Sequence, residues 1–222
     1  MTNDQHPDLD WRGDVPVARA FDDPYFSLED GLAETRHVFL AGNGLPERFR
    51  PGFHIAELGF GTGLNALAAL AAWNAAGVEG PLRFTSFEAY PMEATAMARA
   101  LAVYPEIADL AQPLLAAFSE GALSVETDRL CLRVVRGDAR TTVPLWDGKA
   151  DAWFLDGFSP AKNPELWEPA LLAEVARHTS GEGTAATYSA AGAVRAALAE
   201  AGFEVTRVPG FGRKRHMTVA RT

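Results

Sequence analysis

The chain has 222 residues, of which 48% are hydrophobic and 22% charged, and its formal net charge is −9. This length and composition are typical of a globular protein with a full hydrophobic core and exclude a disordered or fibrous chain. A whole-domain negative field repels phosphates, which argues against generic nucleic-acid binding and leaves room for an RNA partner only at a local basic patch.

Three features of the sequence bear on the cellular compartment. Cys131 is the only cysteine, so an intramolecular disulfide and a cysteine-rich metal site are both excluded and a reducing compartment is favoured. The N-terminal sequence MTNDQHPDLDW is polar and acidic and lacks the apolar segment of a secretory signal. The most apolar stretch, residues 64–77, is shorter than the roughly 20 residues of a membrane span and is interpreted as a buried helix. We therefore predict a cytoplasmic protein with no membrane partner.

The predicted elements begin after an N-terminal extension. Residues 1–52 are irregular and punctuated by proline and glycine, and we expect them to pack on the domain formed by residues 53–222 as one structural unit. From Phe53 onward, short apolar runs alternate with alanine-rich helical patterns, which indicates βαβ units and a mostly parallel sheet. The predicted parallel strands are Phe53–Leu58, Leu82–Glu88, Leu130–Arg136, Ala152–Asp156 and Gly183–Ser189.

Two further strands are predicted at the C-terminus. Phe203–Val208 and His216–Arg221 are joined only by the sequence PGFGRKR, which is too short for a parallel crossover, so we expect an antiparallel hairpin. The segment Tyr104–Glu126 carries more helix than a βαβ unit requires and is interpreted as an insertion. A mostly parallel seven-stranded sheet that ends in such a hairpin is typical of the methyltransferase variant of the doubly wound, Rossmann-like α/β fold.

A glycine-rich loop joins the first predicted parallel strand to the helix that begins near Leu64. Its glycines are Gly59, Gly61 and Gly63. Glycine lets the backbone approach a ligand, and the free N–H groups at a helix N-terminus attract a carboxylate or a phosphate. The dinucleotide fingerprint G-x-G-x-x-G requires its third glycine at position 64, where this chain has leucine, so a nicotinamide site fits poorly. A tight turn without a ligand is the alternative.

Three carboxylates, Glu57, Glu88 and Asp138, lie at or near the ends of predicted strands. Ligands of doubly wound sheets bind beyond the carboxyl ends of the strands, so we expect these acids to meet in one crevice. Glu88 could accept hydrogen bonds from two ribose hydroxyls, and Asp138 could accept one from an adenine amino group. Glu57 would repel a pyrophosphate but could bind the ammonium of an amino-acid moiety. Together with Asn65 in the same motif, they favour S-adenosylmethionine over NAD, although each acid alone is more often a solvated loop residue.

The densest local pattern is DAWFLDGFSPAKNPELW, which contains the fourth predicted strand. Asp156 follows the buried run AWFL, at the position where the methyl group of such a cofactor would point. A carboxylate there could bind an amine nucleophile, orient its lone pair and accept its proton, or it could cap the following loop. Phe158 and Phe60 could face a cation with their rings, although ordinary packing is the commoner role.

The sequence gives no sign of metal or nucleophile chemistry. Its five histidines are scattered, and no nucleophile motif surrounds a serine or Cys131. We therefore predict that the protein binds no metal and uses neither metallohydrolase nor triad chemistry.

Six segments spread over nearly the whole chain match a known family. They are FDDPYFS (Phe21–Ser27), ETRHVFLAGN (Glu34–Asn43), ELGFGTGLN (Glu57–Asn65), SFEAYP (Ser86–Pro91), DAWFLDGFSPAKNPELW (Asp151–Trp167) and GFGRKRHM (Gly210–Met217). With these segments the chain resembles the methyltransferase domain of the bacterial bifunctional tRNA 5-methylaminomethyl-2-thiouridine biosynthesis proteins. LDGFSPAKNP and GFGRKR are together highly specific for that family.

The resemblance implies an activity and a set of residue roles. S-adenosylmethionine would methylate the aminomethyl group on C5 of the wobble (2-thio)uridine of tRNA, which gives 5-methylaminomethyl-2-thiouridine. By position, Glu57, Glu88 and Asp138 would join the loop glycines in holding the cofactor. Asp156 would then meet the amine of the substrate.

The resemblance also bears on both ends of the chain. Tyr25 and Ser27, together with Asn43, could close over the site or serve as turn residues. The family continues into a flavin-dependent oxidase domain, whereas this sequence ends soon after Met217. We expect either a stand-alone enzyme supplied by a flavin-dependent oxidase on a separate chain, or a fragment of a bifunctional protein.

A local basic patch for tRNA is predicted on the C-terminal hairpin, where Glu204 is the only acid. Lys162 is expected to extend it, and the wobble base would be splayed from its stack to enter the pocket. A charged run of this kind is more often a solvated turn, but a tRNA enzyme of net charge −9 needs such an exception. The basic residues of the patch are Arg207, Arg213, Lys214, Arg215 and Arg221.

Three other functions compete with this interpretation. An aminopropyltransferase-like enzyme also brings an amine to a sulfonium cofactor on this fold, but a polyamine substrate favours acids over the sequence RKR. A non-catalytic cofactor-binding partner of a tRNA oxidase would tolerate the loss of Asp156, which is present. A nicotinamide oxidoreductase comes last, because Leu64 and Glu57 fit it poorly.

Overall fold

The computed structural model describes residues 6–222, and the first five residues of the polar N-terminus lie outside it. The prediction that the N-terminal extension is irregular is wrong for much of its length. Three short strands form a small antiparallel sheet: Leu9–Arg12 (β1), Val15–Ala18 (β2) and Asp23–Pro24 (β3). The helix Gly31–Thr35 (α1) continues as a π-helical segment, Arg36–Leu40, and then as a 3₁₀ turn, Ala41–Asn43. β1 and β2 are too short to give a clear alternating pattern, and a tight turn through Gly13, at φ +65°, joins them.

A large α/β unit follows, in which strands alternate with helices. In chain order its elements are His54–Leu58 (β4), Leu64–Ala75 (α2), Leu82–Glu88 (β5), Ala94–Leu101 (α3), Ala108–Ser119 (α4), Ser124–Glu126 (β6), Leu130–Arg136 (β7), Ala139–Thr142 (α5), Ala150–Leu155 (β8), Pro169–Arg177 (α6), Thr179–Thr187 (β9), Gly192–Glu200 (α7), Glu204–Pro209 (β10) and His216–Arg221 (β11). The sheet has eight strands in the order β10-β11-β9-β8-β4-β5-β7-β6. Its central strands, from β9 to β7, run parallel.

The predicted doubly wound topology is confirmed, with one strand added. β10 and β11 form the predicted antiparallel hairpin, and β11 pairs with β9. The sheet has eight strands rather than seven because β6, inside the predicted insertion, pairs antiparallel with β7 at the outer edge. The turn between them is tight, since the Thr127 hydroxyl accepts hydrogen bonds from the N–H groups of Arg129 and Leu130. A strand of three residues is too short to be recognised from its pattern.

The bounds of β8 and β9 differ from the predicted ones. β8 begins at Ala150 and ends at Leu155, which leaves Asp156 as the first residue beyond the strand. β9 extends from Thr179 to Thr187 instead of from Gly183 to Ser189. The pairing of these two strands shifts register between Ala150 and Ala152, and the glycines in TSGEGTAAT interrupt the apolar pattern, so the start of β9 was not visible in the sequence.

Helices cover both faces of the sheet. Ile55 and Phe154 belong to a core cluster with α2, α3 and α4, whereas Leu58 and Trp153 belong to a second cluster with α5, α6 and α7. Leu32 of α1 is part of the first cluster. Burial on both faces explains why the central strands appear in the sequence as nearly continuous apolar runs. Within residues 6–222, every helix is too short or too polar to cross a membrane.

Candidate active site

A cavity of about 1240 Å³ opens at the carboxyl ends of the central strands. β4 lies between β5 and β8 in the sheet. After β4 the chain crosses to β5, whereas after β8 it crosses in the opposite direction to β9. The loops that follow β4 and β8 therefore diverge and leave a crevice between them. The cavity is lined by the glycine loop, the segments after β5 and β8, the N-terminal segment and the hairpin loop. Its volume exceeds the roughly 300–1,000 Å³ of ordinary small-molecule pockets, so it has room for two ligands.

The glycine loop follows β4 and depends on the small size of two glycines. Gly59 has φ +89° and Gly61 has φ +54°, a region of backbone conformation that favours glycine. A Cβ on Gly59 would overlap the carbonyl oxygen of Asp156, and a Cβ on Gly61 would lie 3.0 Å from the ring of Tyr25. Gly63 is the N-cap of α2 and supplies no side-chain cap. The loop backbone therefore passes close to both neighbouring walls.

Glu88 ends β5 at the cavity, where the sequence placed it, and organises the glycine loop. Its Oε2 accepts hydrogen bonds from the N–H groups of Phe60 at 2.9 Å and Gly61 at 3.2 Å, and its Oε1 accepts one from Tyr90 N–H at 2.9 Å. A carboxylate has about four acceptor sites, so only one remains free. The predicted contact with two ribose hydroxyls therefore requires one of these backbone hydrogen bonds to be released.

Asp138 also lines the cavity, but Arg140 uses much of its capacity to accept hydrogen bonds. The Asp138 side chain caps α5 by accepting from Arg140 N–H at 2.9 Å, and the Arg140 guanidinium binds its carboxylate at 2.6 to 3.1 Å. These hydrogen bonds lower the pKa of Asp138. An adenine amino group bound here would share the carboxylate with Arg140. The sequence analysis missed this arginine, although the adjacent letters RGDAR contained the signal.

Glu57 does not reach the cavity, so its predicted direct contact with a ligand ammonium has no support in this geometry. Its side chain points into the protein and is 0% exposed. Oε1 accepts a hydrogen bond from the Asn65 amide at 2.9 Å, and Oε2 accepts one from the Ser86 hydroxyl at 2.7 Å. Burial raises the pKa of Glu57 well above its ordinary range. Glu57 thus fixes the Asn65 amide by a hydrogen bond from the core side, while Asn65 itself lines the cavity.

Asp156 stands in the cavity wall directly after β8, where the sequence placed it. Its Oδ2 accepts a hydrogen bond from the Asn65 amide nitrogen at 2.6 Å, and the Asn65 oxygen accepts one from the Thr35 hydroxyl at 2.7 Å. Burial raises the pKa of Asp156 to about 7, against the opposing hydrogen bond from Asn65. The charge of Glu34 raises this pKa further, while that of Lys214 lowers it. A pKa near neutrality suits a general base.

Aromatic rings line another part of the cavity. Phe158 stacks on Phe21 with ring centroids 4.7 Å apart and meets Tyr25 edge to face at 5.1 Å. Phe60 is buried and stacks on Phe118 at 5.4 Å. Phe60 therefore packs in the core and also lines the cavity, while Phe158 and Tyr25 belong to a ring cluster at the cavity surface.

The N-terminal residues expected to close over the site divide into two groups. Tyr25 and Ser27 line the cavity, and the Ser27 hydroxyl accepts a hydrogen bond from Glu29 N–H at 3.3 Å. Asn43 is buried away from it, and its amide donates to the carbonyl oxygens of Phe39 at 2.9 Å and Trp153 at 3.3 Å. Asn43 therefore does not close over the site, and of its two predicted roles the structure supports that of a turn residue, in the 3₁₀ turn Ala41–Asn43, where its amide links this segment to β8.

Lys162 is held by acids of the N-terminal segment. Its ammonium donates to the carbonyl oxygen of Asp22 and lies 3.4 Å from the Asp23 carboxylate. Ser159 N–H donates to the same carboxylate at 2.9 Å. These contacts connect the loop after β8 to the N-terminal segment, so the structure shows Lys162 in a structural role. Its predicted contact with tRNA has no support in this geometry.

The hairpin loop places two cations, Arg213 and Lys214, at the cavity rim. Arg213, whose side chain is 94% exposed, pairs with Glu29 at 3.0 Å. Lys214 turns into the cavity wall, where its ammonium lies 2.8 Å from the Glu34 carboxylate and 3.9 Å from the ring centroid of Tyr188. Sequence analysis missed Glu34 and Tyr188, since contacts between such distant segments leave no local signal.

The remaining cations of the predicted patch lie on the outside of the hairpin. Arg207 and Arg215 are exposed. Arg221 is exposed as well and lies 3.8 Å from Glu204. The predicted patch is therefore divided between an outer group, Arg207, Arg215 and Arg221, and two residues that line the cavity, Arg213 and Lys214.

The fold and the cavity define a class of protein. A doubly wound sheet with a glycine loop after its central strand, and carboxylates after the neighbouring strands, forms a nucleoside-cofactor site of the methyltransferase type. The chain belongs to the S-adenosyl-L-methionine-dependent methyltransferases, a family whose sequence model matches residues 105–222. The predicted enzyme class and the predicted cofactor, S-adenosylmethionine, are confirmed by this match.

Curated relatives are longer than this chain. The tRNA 5-methylaminomethyl-2-thiouridine biosynthesis bifunctional protein MnmC of Pseudomonas paraeruginosa is 46% identical over 98% of this chain and 35% of that protein. The protein of the same name from Chromohalobacter salexigens is 47% identical over 95% of this chain and 32% of that protein. This chain thus spans about a third of the length of the relatives it matches, and the resemblance identified from the motifs is confirmed.

Solved structures support the same assignment of the fold. MNMC2 from Aquifex aeolicus superposes with a TM-score of 0.76 at 28% identity, over 99% of this chain and 71% of that one. Spermidine synthase from Thermotoga maritima superposes with a TM-score of 0.54 at 11% identity, over 98% of this chain and 69% of that one. At such low identity the second likeness shows the fold alone.

Proposed function

We propose that this chain transfers a methyl group from S-adenosylmethionine to the amine of a 5-aminomethyl group on the wobble uridine of tRNA. The product would be 5-methylaminomethyl-2-thiouridine where the base carries sulfur, and the names of the curated relatives support this product. The observation that carries the proposal is the environment of Asp156. Its carboxyl group has a pKa of about 7, is fixed by Asn65, and lies in a cavity with room for both a cofactor and a nucleoside.

The residues around the cavity fit the cofactor on chemical grounds. A Cβ at Gly59 or Gly61 would fill the space beside the loop backbone. Glu88 retains an acceptor for a ribose hydroxyl, and Asp138 offers one for an adenine amino group. The bound cofactor supplies a methyl group on a positively charged sulfur, and the ring of Phe158 suits a cationic centre.

Asp156 prepares the nucleophile. An alkylamine resembles the lysine side chain, whose pKa is about 10.4, so it is protonated near neutrality and must lose a proton to become a nucleophile. The ionised Asp156 accepts a hydrogen bond from the substrate nitrogen, orients its lone pair and takes up the proton that leaves it. Asn65 restrains the carboxylate through its 2.6 Å hydrogen bond. Holding the amine in line with the methyl group of the cofactor is the positioning that can lower a barrier by about 7 to 11 kcal/mol.

The substrate's RNA would be held by the outer cations. Arg207 and Arg215 are exposed on the hairpin, and exposed guanidinium groups bind phosphates well. The wobble base would leave its stack to bring its aminomethyl group to Asp156. We place this reaction in the cytoplasm, with the aminomethyl substrate supplied by a flavin-dependent oxidase on a further domain or a separate chain.

The test is methyl transfer from labelled S-adenosylmethionine to tRNA purified from cells that lack this activity, followed by mass spectrometry of the nucleosides. We expect 5-methylaminomethyl-2-thiouridine to appear while its aminomethyl precursor is consumed. If a chain that binds the cofactor leaves this precursor unchanged, the proposed substrate is wrong, and a panel of small amines becomes the next substrate class to test.

A further inference from the structure

The ammonium of Lys214 occupies a defined site inside the cavity wall. It lies 2.8 Å from the Glu34 carboxylate, whose side chain is 12% exposed, and 3.9 Å from the ring centroid of Tyr188. A carboxylate on one side and an aromatic face on the other bind an alkylammonium by charge and by cation–π attraction. Glu34 and Tyr188, which we call the ammonium cage, therefore have the chemistry of an amine receptor.

Tyr188 and the helix that carries Glu34 are held by contacts outside the ammonium cage. The Tyr188 hydroxyl donates to the carbonyl oxygen of Gly157 at 2.7 Å, and its ring meets Trp167 edge to face. Glu34 is on α1, whose N-terminus is capped by the Asp30 carboxylate. Tyr188 is thus held without Lys214, whereas the Glu34 carboxylate takes its hydrogen bond from the Lys214 ammonium, a bond that another ammonium in the cage could take over.

The ammonium cage adjoins the group assigned to the substrate amine. Thr35, the neighbour of Glu34 in the chain, donates to Asn65, and Asn65 donates to Asp156. Tyr188 bonds the carbonyl of the residue that follows Asp156. The cage and Asp156 line the same cavity, so an amine could bind in the cage as a cation and pass its proton to Asp156.

We infer that the ammonium cage receives the protonated aminomethyl group of the substrate, and that Lys214 is a tethered occupant which the substrate displaces. This inference rests on the proposed amine substrate. Lys214 can leave because its side chain is 45% exposed and lies on the hairpin loop between Arg213 and Arg215, where RNA phosphates would offer it a new partner. Arrival of the RNA would then open the amine site.

The test is a comparison of two RNA hairpins that differ only in carrying 5-aminomethyluridine or plain uridine at the wobble position. Their dissociation constants are measured with S-adenosylhomocysteine present, so that no methyl transfer occurs. The ratio of the two constants isolates recognition of the amine, because any change in phosphate contacts affects both RNAs alike. Six chains are compared: the parent, Lys214→Met, Lys214→Arg, Glu34→Gln, the double variant Lys214→Met with Glu34→Gln and, as a control that removes a neighbouring cation, Arg213→Met.

We expect Lys214→Met to raise the preference for the amine-bearing RNA by about tenfold, since its cage is vacant and Glu34 lacks a cation. Lys214→Arg should keep the parent's preference for the amine-bearing RNA. Arg213→Met should weaken the binding of both RNAs by the same factor. Glu34→Gln should lose most of the preference for the amine-bearing RNA, both alone and combined with Lys214→Met. A thermal melt of each variant checks that it is folded.

The outcomes separate this inference from the proposed function. A parent chain that methylates the amine-bearing RNA, together with a preference unchanged in Lys214→Met and Glu34→Gln, would overturn the inference alone. A lower preference in Lys214→Met would also overturn it, because it would make Lys214 a contact for the amine-bearing nucleoside instead of a competitor. A parent chain that neither prefers nor methylates the amine-bearing RNA would overturn the proposed function as well.

Discussion

At the scale of single residues, Asn65 controls two carboxyl groups. Its amide nitrogen donates to Glu57 at 2.9 Å and to Asp156 at 2.6 Å, while its oxygen accepts from Thr35 at 2.7 Å. Both carboxyl groups have raised pKa values, chiefly because they are buried. One amide thus orients the carboxylate that we assign to the amine and links it to an acid beneath the cavity surface.

Replacement of Asn65 by alanine should therefore be costly. Glu57, Asp156 and Thr35 would each lose a buried partner, and we expect the free energy of unfolding to fall by about 1 to 3 kcal/mol in urea titrations. Asn74→Ala is a suitable control, because Asn74 accepts one hydrogen bond, from Arg129 at 2.8 Å, away from the cavity. Similar losses in the two variants would contradict the special role of Asn65.

The raised pKa of Asp156 gives a signed expectation for stability. The ordinary pKa is 3.8 and the folded value about 7, so between them the folded chain holds a proton that the unfolded chain has released. Ionisation of Asp156 therefore destabilises the fold increasingly as pH rises through this window. Asp156→Asn stays neutral, and at pH 8 it should melt at least about 2 to 4 °C above the parent, roughly 1 kcal/mol.

The gain in melting temperature should shrink toward pH 4, where the parent's Asp156 is protonated in the folded chain. Glu57, whose pKa is also raised, is common to both chains, and the charges of Glu34 and Lys214 act on Asp156 in the parent. Asp14→Asn, at an exposed turn carboxylate, controls for the loss of one negative charge. A gain of the same size at pH 4 and pH 8 would show that the pKa of Asp156 is ordinary.

At the scale of elements, strands buried on both faces were predictable and side-chain directions were not. β5 and β7 have the predicted bounds because each has seven residues, most of them hydrophobic or buried, and ends at a charged residue. Glu88 ends its strand and faces the cavity, but Glu57 lies inside β4 and points into the core. The sequence places both acids near strand ends without revealing this difference. The small N-terminal sheet and β6 escaped prediction because their strands have only two to four residues.

The contact between the glycine loop and the segment after β8 can be tested with two matched glycines. Gly59 and Gly52 have φ angles of +89° and +81°, but a Cβ would overlap the Asp156 carbonyl only at Gly59 and would meet open space at Gly52. Both alanine variants bear a similar backbone strain of about 1 kcal/mol. We expect Gly59→Ala alone to weaken S-adenosylmethionine binding, by about tenfold or more, in equilibrium dialysis. Equal affinities in the two variants would show that the close approach is unimportant.

At the scale of the whole molecule, the distribution of charge matters more than the net value of −9. Acids of the N-terminal segment pair with the hairpin loop, Glu29 with Arg213 and Glu34 with Lys214. A basic run was visible in the sequence, but its partial neutralisation was not, because the paired residues are far apart in the chain. The motifs identified the family from the sequence, whereas the division of the patch required the structure.

The cations of the hairpin loop should set the salt dependence of tRNA binding. Reversal of charge at Arg213, Lys214 and Arg215 should weaken binding and reduce the slope of log K against log salt by about 1 for each phosphate that the variant no longer neutralises. Lys149→Glu is the control, because Lys149 is exposed at the amino end of β8, away from the crevice. An unchanged slope in the hairpin variant, or an equal change in the control, would place the tRNA surface elsewhere.

The most direct test of the account is the single-turnover rate of methyl transfer to tRNA that carries 5-aminomethyl-2-thiouridine, compared between the parent and Asp156→Asn at saturating cofactor. We expect the parent to methylate the amine and the variant to be slower by about 100-fold or more, with S-adenosylmethionine affinity unchanged. A variant that transfers methyl at the parent's rate would contradict the assignment of Asp156 to the substrate amine.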